Sequence, residues 1–355
     1  MKQRIERIQQ KLKDNRIEAF LVTNGTNRRY LSGFTGTAGI ILITVRQAFL
    51  IVDFRYTDQA GQQAQHLEVR QHGHDRLQYL ADLLGKLKIN KLAFEEKDVT
   101  YQEYREFGDK LAVDLQPVQG WVEELRRVKD EDELACLKRA IAIADEGFRH
   151  ITSEVLAPSK SEQEVALELE FYMRRHGASG PAFDFIVASG FRGALPHGVA
   201  SEKFIQAGDL VVIDFGAVYQ GYHSDITRSV AVAGTDAKQE EIYDIVLEAQ
   251  LAAINALKPG LTGAEVDAVA RKVIGDAGYA DYFGHGLGHG VGLDIHEGPR
   301  LAPKSDVVLE PGMVVTVEPG IYLPEWGGVR IEDIVLVTSQ GCEILTGSTK
   351  HFLNL

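Results

Sequence analysis

The stretch LVVIDFGAVYQGYHSDITRSVAVAG, Leu210 to Gly234, constrains this chain more than any other. It reads as two strands joined by a tight turn near Tyr219 and Gln220. The first strand, Leu210 to Phe215, is apolar apart from Asp214 and reads as buried. The second carries β-branched Ile226, Thr227, Val230 and Val232. Folding the hairpin about its centre sets Asp214 opposite Asp225, and opposed residues of an antiparallel pair share a face. Like charges placed that way destabilise a sheet. Two carboxylates on an apolar hairpin need a cation, or one must keep its proton. The pair reads as half of a metal site.

A second hairpin, MVVTVEPGIYLPEWGGVRIEDIVLV, spans Met313 to Val337, with turn formers from Pro324 to Gly328. Centring it at Glu325 sets Glu318 opposite Glu332, so the same costly arrangement occurs twice. Between the hairpins, five glycines alternate through the segment holding His285, His289 and His296. Each glycine would cost a helix about 1 kcal/mol against alanine. In this segment they let the backbone pass close to something and aim histidines at it. Histidine is the commonest neutral metal ligand. Asp214, Asp225, a histidine of this segment, Glu318 and Glu332 form a mostly oxygen set suited to Mn²⁺, with Co²⁺ or Zn²⁺ able to substitute. Four carboxylates are more charge than one divalent ion needs, and suit two ions bridged by carboxylates and a water. Asp333 adjoins Glu332, but alternation turns it to the opposite face. Tyr322 and Trp326 read as packing around the turn, and Glu297 as either support for the site or a solvated side chain. His66, His72, His74, His150, His176 and His223 read as solvated.

The remaining chain narrows the class. At 355 residues, two domains are expected. A net charge of −13 repels nucleic acid and anionic membranes, and no run of Lys and Arg offsets it. The charged N-terminus has no signal core, and apolar runs such as Ile40 to Ile43 are too short to span a bilayer. The two cysteines, Cys136 and Cys342, read as free thiols, so a cytoplasmic protein is expected.

Residues 1–120 read as an α/β domain. Helices fit Lys2 to Asp14, Asp75 to Leu87 and Tyr101 to Leu111. Strands fit Ala19 to Thr23 and Lys91 to Glu95, with a hairpin turning near Val45 to Gln47. The Asn27-Arg28-Arg29-Tyr30 cluster reads as a solvated turn. Gln116 to Lys129 reads as the linker. In residues 121–355, long helices fit Glu131 to Ile151 and Gln239 to Leu257. Capping boxes at Ser161 and Thr262 start two more. Helices followed by an acid-bearing hairpin occur twice, which hints at duplication.

Taken together, Asp214 to Asp225, His285 to His296, Val317-Glu318-Pro319-Gly320 and Arg330-Ile331-Glu332 resemble the pita-bread metallopeptidases. Within them they resemble the proline-specific branch, aminopeptidase P and Xaa-Pro dipeptidase (prolidase). The resemblance covers nearly the whole chain. It implies an α/β (α+β) chain with a smaller creatinase-like N-terminal domain followed by a pita-bread catalytic domain. It also implies a homodimer, and a peptide substrate with proline in second position. Asp225 and Glu332 would bridge two metal ions, His289 and Glu318 would serve one, and Asp214 the other. His197, in Leu-Pro-His-Gly, would line the substrate pocket. His285 and His296 would contact substrate and steady the tetrahedral intermediate, and Arg330 would lie beside the carboxylates. The expected reaction is hydrolysis by a hydroxide bridging the ions, with Glu318 as general base. Arg300, four residues after His296, is a candidate clamp for a dipeptide's carboxylate. Strict dipeptidase activity is the alternative to an aminopeptidase P-like or mixed specificity. A non-catalytic pita-bread binding protein or a metal-free creatinase-like hydrolase would lack these ligands. A methionine aminopeptidase would lack the N-terminal domain.

Overall fold

The computed structural model describes residues 1–355. The chain forms two units, Met1–Arg126 and Arg127–Leu355. The first is built on one mixed six-stranded sheet. Its strands run in the order Glu68–Gln71, Ala48–Val52, Ile40–Thr44, Ala19–Val22, Lys91–Glu95 and Asp114–Val118. The helix Lys2–Asp14 buries Ile5, Ile8 and Leu12, the helical spacing of one apolar face. The cluster expected as a solvated turn is instead a helix, Gly25–Ser32, with Asn27 and Arg28 buried. Long-range partners explain the burial: Arg28 donates to the carbonyls of Gly36 and Gly39, and Asn27 donates to Glu95 and Glu123. Asp114–Val118, whose last three residues fall in the expected linker, pairs in parallel with Lys91–Glu95.

The second unit repeats one plan. Helices Glu131–His150 and Glu162–Arg175 precede the hairpin of Leu210–Phe215 and Ile226–Ala231. Helices Ala237–Ala256 and Gly263–Asp276 precede the hairpin of Val314–Val317 and Asp333–Val337. Each set buries its own apolar cluster, around Ile143, Leu169 and Ile213 in the first and Val246, Ala270 and Val315 in the second. Capping boxes at Ser161 and Thr262 start the second helix of each set, as their spacing requires. No helix is long and apolar enough to cross a membrane. Cys136 and Cys342 are free thiols.

The two acidic hairpins differ in how they meet expectation. In the second, Val317 pairs with Asp333 and Gly320 with Arg330, a constant register that sets Glu318 against Glu332. In the first, Asp214 pairs with Thr227, not with Asp225. The turn is Gln220-Gly221, both with positive φ, between paired Tyr219 and Tyr222. That centre is shifted from the one expected, and the register slips by two residues. An even slip keeps every side chain on its face. Asp225 therefore becomes the diagonal neighbour of Asp214 on the same face.

Several polar residues also depart from a solvated reading. His66 Nε2 donates to the Leu31 carbonyl, His223 meets Gly292, and His150 stacks on Tyr172. Glu297 forms a buried ion pair with Lys129 at 2.7 Å.

Candidate metal centre

The hairpins meet at their acidic ends. Thr227 Oγ1 donates to Glu332 Oε2 at 2.7 Å, and the Glu332 amide donates to the Thr227 carbonyl at 3.1 Å. His289 reaches the same place from the short strand Gly288–Gly290. The flanking glycines are required by close approach. A Cβ on Gly288 would lie 2.0 Å from the Thr316 carbonyl oxygen, and one on Gly290 would lie 2.3 Å from that of Gly298. No larger residue fits at either position without shifting the backbone packed beside His289.

Ligand atoms of Asp225, His289 and Glu332 all lie within 4.8 Å of one another. His289 Nε2 is 3.2 Å from Glu318 Oε1 and 3.6 Å from Asp225 Oδ2. Asp214 accepts from Arg330 Nη2 at 2.5 Å. Asp214, Asp225, His289, Glu318, Glu332, His197, His285, His296, Arg300 and Arg330 all line one cavity of about 440 Å³. Asp225 and Glu332 are buried, whereas His197, His296 and Arg300 are exposed at its mouth.

The charges do not balance within the protein. Two unit charges about 4 Å apart at an effective dielectric of 20 repel by about 4 kcal/mol. Burial, then repulsion by Glu332, Asp214 and Glu318, pushes the Asp225 carboxyl well above its ordinary range. Burial and repulsion by Glu318 and Asp214 do the same to Glu332. Burial also raises Asp214, against the pull of Arg330. Glu318 goes the other way: burial pushes it up, but the hydrogen bond and charge of His289 bring it to about 2.

Donor chemistry shows what is needed. His289 Nδ1 lies 3.1 Å from the Gly290 carbonyl, which can only accept, so Nδ1 carries the hydrogen. Nε2 then points at two carboxylates and requires a proton or a metal ion between them. Asp214 Oδ1 and Glu332 Oε1 are buried without a hydrogen-bond partner. Buried carboxylate oxygens left unpaired are costly. A divalent cation fits this donor set.

Sequence reasoning missed three polar residues here. Tyr322, read as packing, lines the cavity, and its hydroxyl bridges Arg330 Nη1 at 2.8 Å and His285 Nε2 at 2.9 Å. His285 Nδ1 meets the Gly286 carbonyl at 2.8 Å, so Nε2 accepts from Tyr322, and Arg330 donates to Tyr322 in turn. Burial lowers His285, so a neutral ring suits this chain of bonds, and burial pushes Tyr322 up to about 12. Thr227 also accepts from Arg330 Nε at 3.0 Å, and Thr316 donates to Glu318 at 3.0 Å. A signal existed for two of them. Thr227 follows Asp225 by two residues along one strand face, and Tyr322 is the diagonal neighbour of Arg330 in its hairpin.

A site of carboxylates and histidine on twinned hairpins, in a unit that follows a separate α/β unit along the chain, has the make-up of a two-domain metallopeptidase. Residues 135–339 match metallopeptidase family M24, and residues 4–128 match the creatinase/prolidase N-terminal domain. The chain belongs to metallopeptidase family M24. It is 41% identical over 355 residues to the Xaa-Pro dipeptidase of Pyrococcus horikoshii, covering 99% of both chains. The solved Xaa-Pro dipeptidase from Bacillus anthracis superposes with a TM-score of 0.98 at 51% identity, over 99% of each chain. X-Pro aminopeptidase from Thermotoga maritima superposes with a TM-score of 0.90 at 42% identity, over 97% of this chain and 100% of that one.

Proposed function

We propose that this metal-dependent peptidase hydrolyses the peptide bond before a proline in second position, with aminopeptidase P-like or mixed specificity. The observation that carries the reading is the convergence of Asp225, His289 and Glu332 within 4.8 Å, in a cavity shared with Asp214 and Glu318. These five residues would hold two divalent ions, Mn²⁺ by donor chemistry, with Co²⁺ or Zn²⁺ as substitutes. When bound, such ions supply a water acidic enough to ionise near neutral pH. Glu318 accepts the proton of the attacking water and returns it to the proline nitrogen, which must be protonated to leave. His296, at the cavity mouth, donates to the carbonyl oxygen as charge develops there. His285 and Tyr322 form a second polar wall, and His197 faces substrate at the mouth.

Specificity turns on Arg300. It pairs with His289 across neighbouring strands, so its side chain shares the histidine's face. Arg300→Ala is expected to raise KM for an Xaa-Pro dipeptide by a factor of about 10–100. A tripeptide amide, which has no carboxylate, should be unaffected. An unchanged dipeptide KM overturns the clamp.

The deciding experiment strips the protein of metal, reloads it with Mn²⁺, and compares an Xaa-Pro dipeptide with an Xaa-Pro-Xaa tripeptide. Cleavage of the tripeptide supports the reading, and cleavage of the dipeptide alone makes the protein a strict prolidase. Cleavage of neither, with metal bound, overturns the substrate class. We also propose that the protein works as a cytoplasmic homodimer, which sedimentation tests: a monomer at assay concentration removes that part.

A further inference from the structure

The loop bearing His197 is tied to the rest of the catalytic unit by one buried carboxylate outside the cavity. Glu162, the first residue of the helix Glu162–Arg175, is fully buried. Its Oε1 accepts from the Ser189 amide and hydroxyl, both at 2.8 Å. Its Oε2 accepts from the Ser201 amide at 3.0 Å, from the Ser201 hydroxyl at 2.6 Å and from Arg192 Nη1. Ser189 and Ser201 are the two ends of one excursion of chain, and Pro196, His197 and Val199 near its middle line the cavity. Arg192 carries the tie inward, because its Nη2 donates to the Val199 carbonyl at 2.8 Å. The Pro196 carbonyl accepts from Arg330 Nη1 at 3.3 Å. The backbone also lies on the second hairpin, where a Cβ on Gly328 would come 2.2 Å from the Gly193 carbonyl oxygen.

We infer that Glu162 is a positioning residue for substrate: it closes the 189–201 loop on itself and so fixes His197 at the cavity mouth. This deepens the proposed peptidase reading and rests on it for the part that concerns substrate. The physical case is one of count and sign. Five donors converge on two oxygens, and only a carboxylate offers acceptors alone at both. Charge-assisted bonds are about twice as strong as neutral ones, and a buried donor left unmade is costly. An amide in its place keeps the shape but turns a donor toward Arg192 and Ser201. The short helix-capping role of the neighbouring Ser161 does not account for this, since its partner is Glu164. A helix start needs no second carboxylate aimed into a distant loop.

The test is Glu162→Gln, with Arg192→Met as the second variant, since Arg192 is partly exposed and its loss leaves Glu162 its serine donors. Amide hydrogen exchange, read without any substrate, should rise at least tenfold across residues 190–201 in both variants. Exchange across residues 285–296 and bound Mn²⁺ should not change. With an Xaa-Pro dipeptide, KM should rise about tenfold while kcat stays within about threefold, because uniform binding is lost rather than chemistry. On a His197→Ala background, Glu162→Gln should add less than twofold to KM, because both changes act through one contact. Unchanged loop exchange in both variants overturns the tie. A raised exchange with KM unchanged, or full multiplication of the effects on the His197→Ala background, overturns the positioning role. If the wild-type protein cleaves no Xaa-Pro peptide, the substrate reading falls, while the exchange result still decides whether Glu162 fixes the loop.

Discussion

Replacing Glu318 by alanine is expected to lower turnover per bound metal ion by a factor of about 10²–10⁴. The residue stands where a proton can be taken and returned. Its Oε1 accepts from Thr316 at 3.0 Å and faces His289 Nε2 at 3.2 Å, and its side chain lines the cavity. Thr316 also accepts from the His289 amide at 3.0 Å, so the acid and the histidine are held by one hydroxyl. The bond from His289 that brings Glu318 to about 2 requires a proton on Nε2. A ligating Nε2 carries no proton, so a bound ion would take the place of that proton as the positive charge that keeps Glu318 ionised and ready to accept one. Metal content measured beside kcat separates the two jobs assigned to this residue. Turnover per ion that matches the wild type would remove Glu318 from proton transfer and leave it only a ligand.

How much of this was legible in the chain depends on the range of the interaction. The facing of Glu318 and Glu332 follows from turn residues a few positions away, and the observed register agrees with it. The Asp214 hairpin turns at Gln220-Gly221 and not at Tyr219-Gln220, where its sequence pattern centres it. The two acids share a face in either case, because a slip of two preserves the face. A slip of one would have turned Asp214 away from Asp225. Side chains whose meaning lies in distant partners were not legible. Glu297 finds Lys129, and Asn27 finds Glu95 and Glu123, through folding that no local pattern encodes. Tyr322 hides its role for a related reason: its aromatic body is buried as expected of packing, while its hydroxyl serves Arg330 and His285.

Removing metal is expected to make the protein less stable, and more so as pH rises above the ordinary carboxylate range. The folded-state values of Asp225, Glu332 and Asp214 are all raised, chiefly by burial. For an acid this means the folded protein holds its protons longer than the unfolded chain does. Stability from these groups is therefore complete below the unfolded carboxylate range and falls as pH climbs through the raised folded values. Glu318 works in the opposite sense, since its value is lowered to about 2, but its contribution is lost only in acid and does not change above about pH 5. The two windows do not overlap. Mn²⁺ replaces the protons on the raised carboxylates, so its binding should release protons and stabilise most at the alkaline end. At about 100 times its dissociation constant one ion contributes about 2.7 kcal/mol, a rise in Tm on the order of 5–10 °C for a unit of this size. Thermal unfolding of stripped and reloaded protein across that pH range checks this directly. A metal-induced shift independent of pH would mean that the carboxylates are already ionised without metal, balanced by Arg330 and His289 alone.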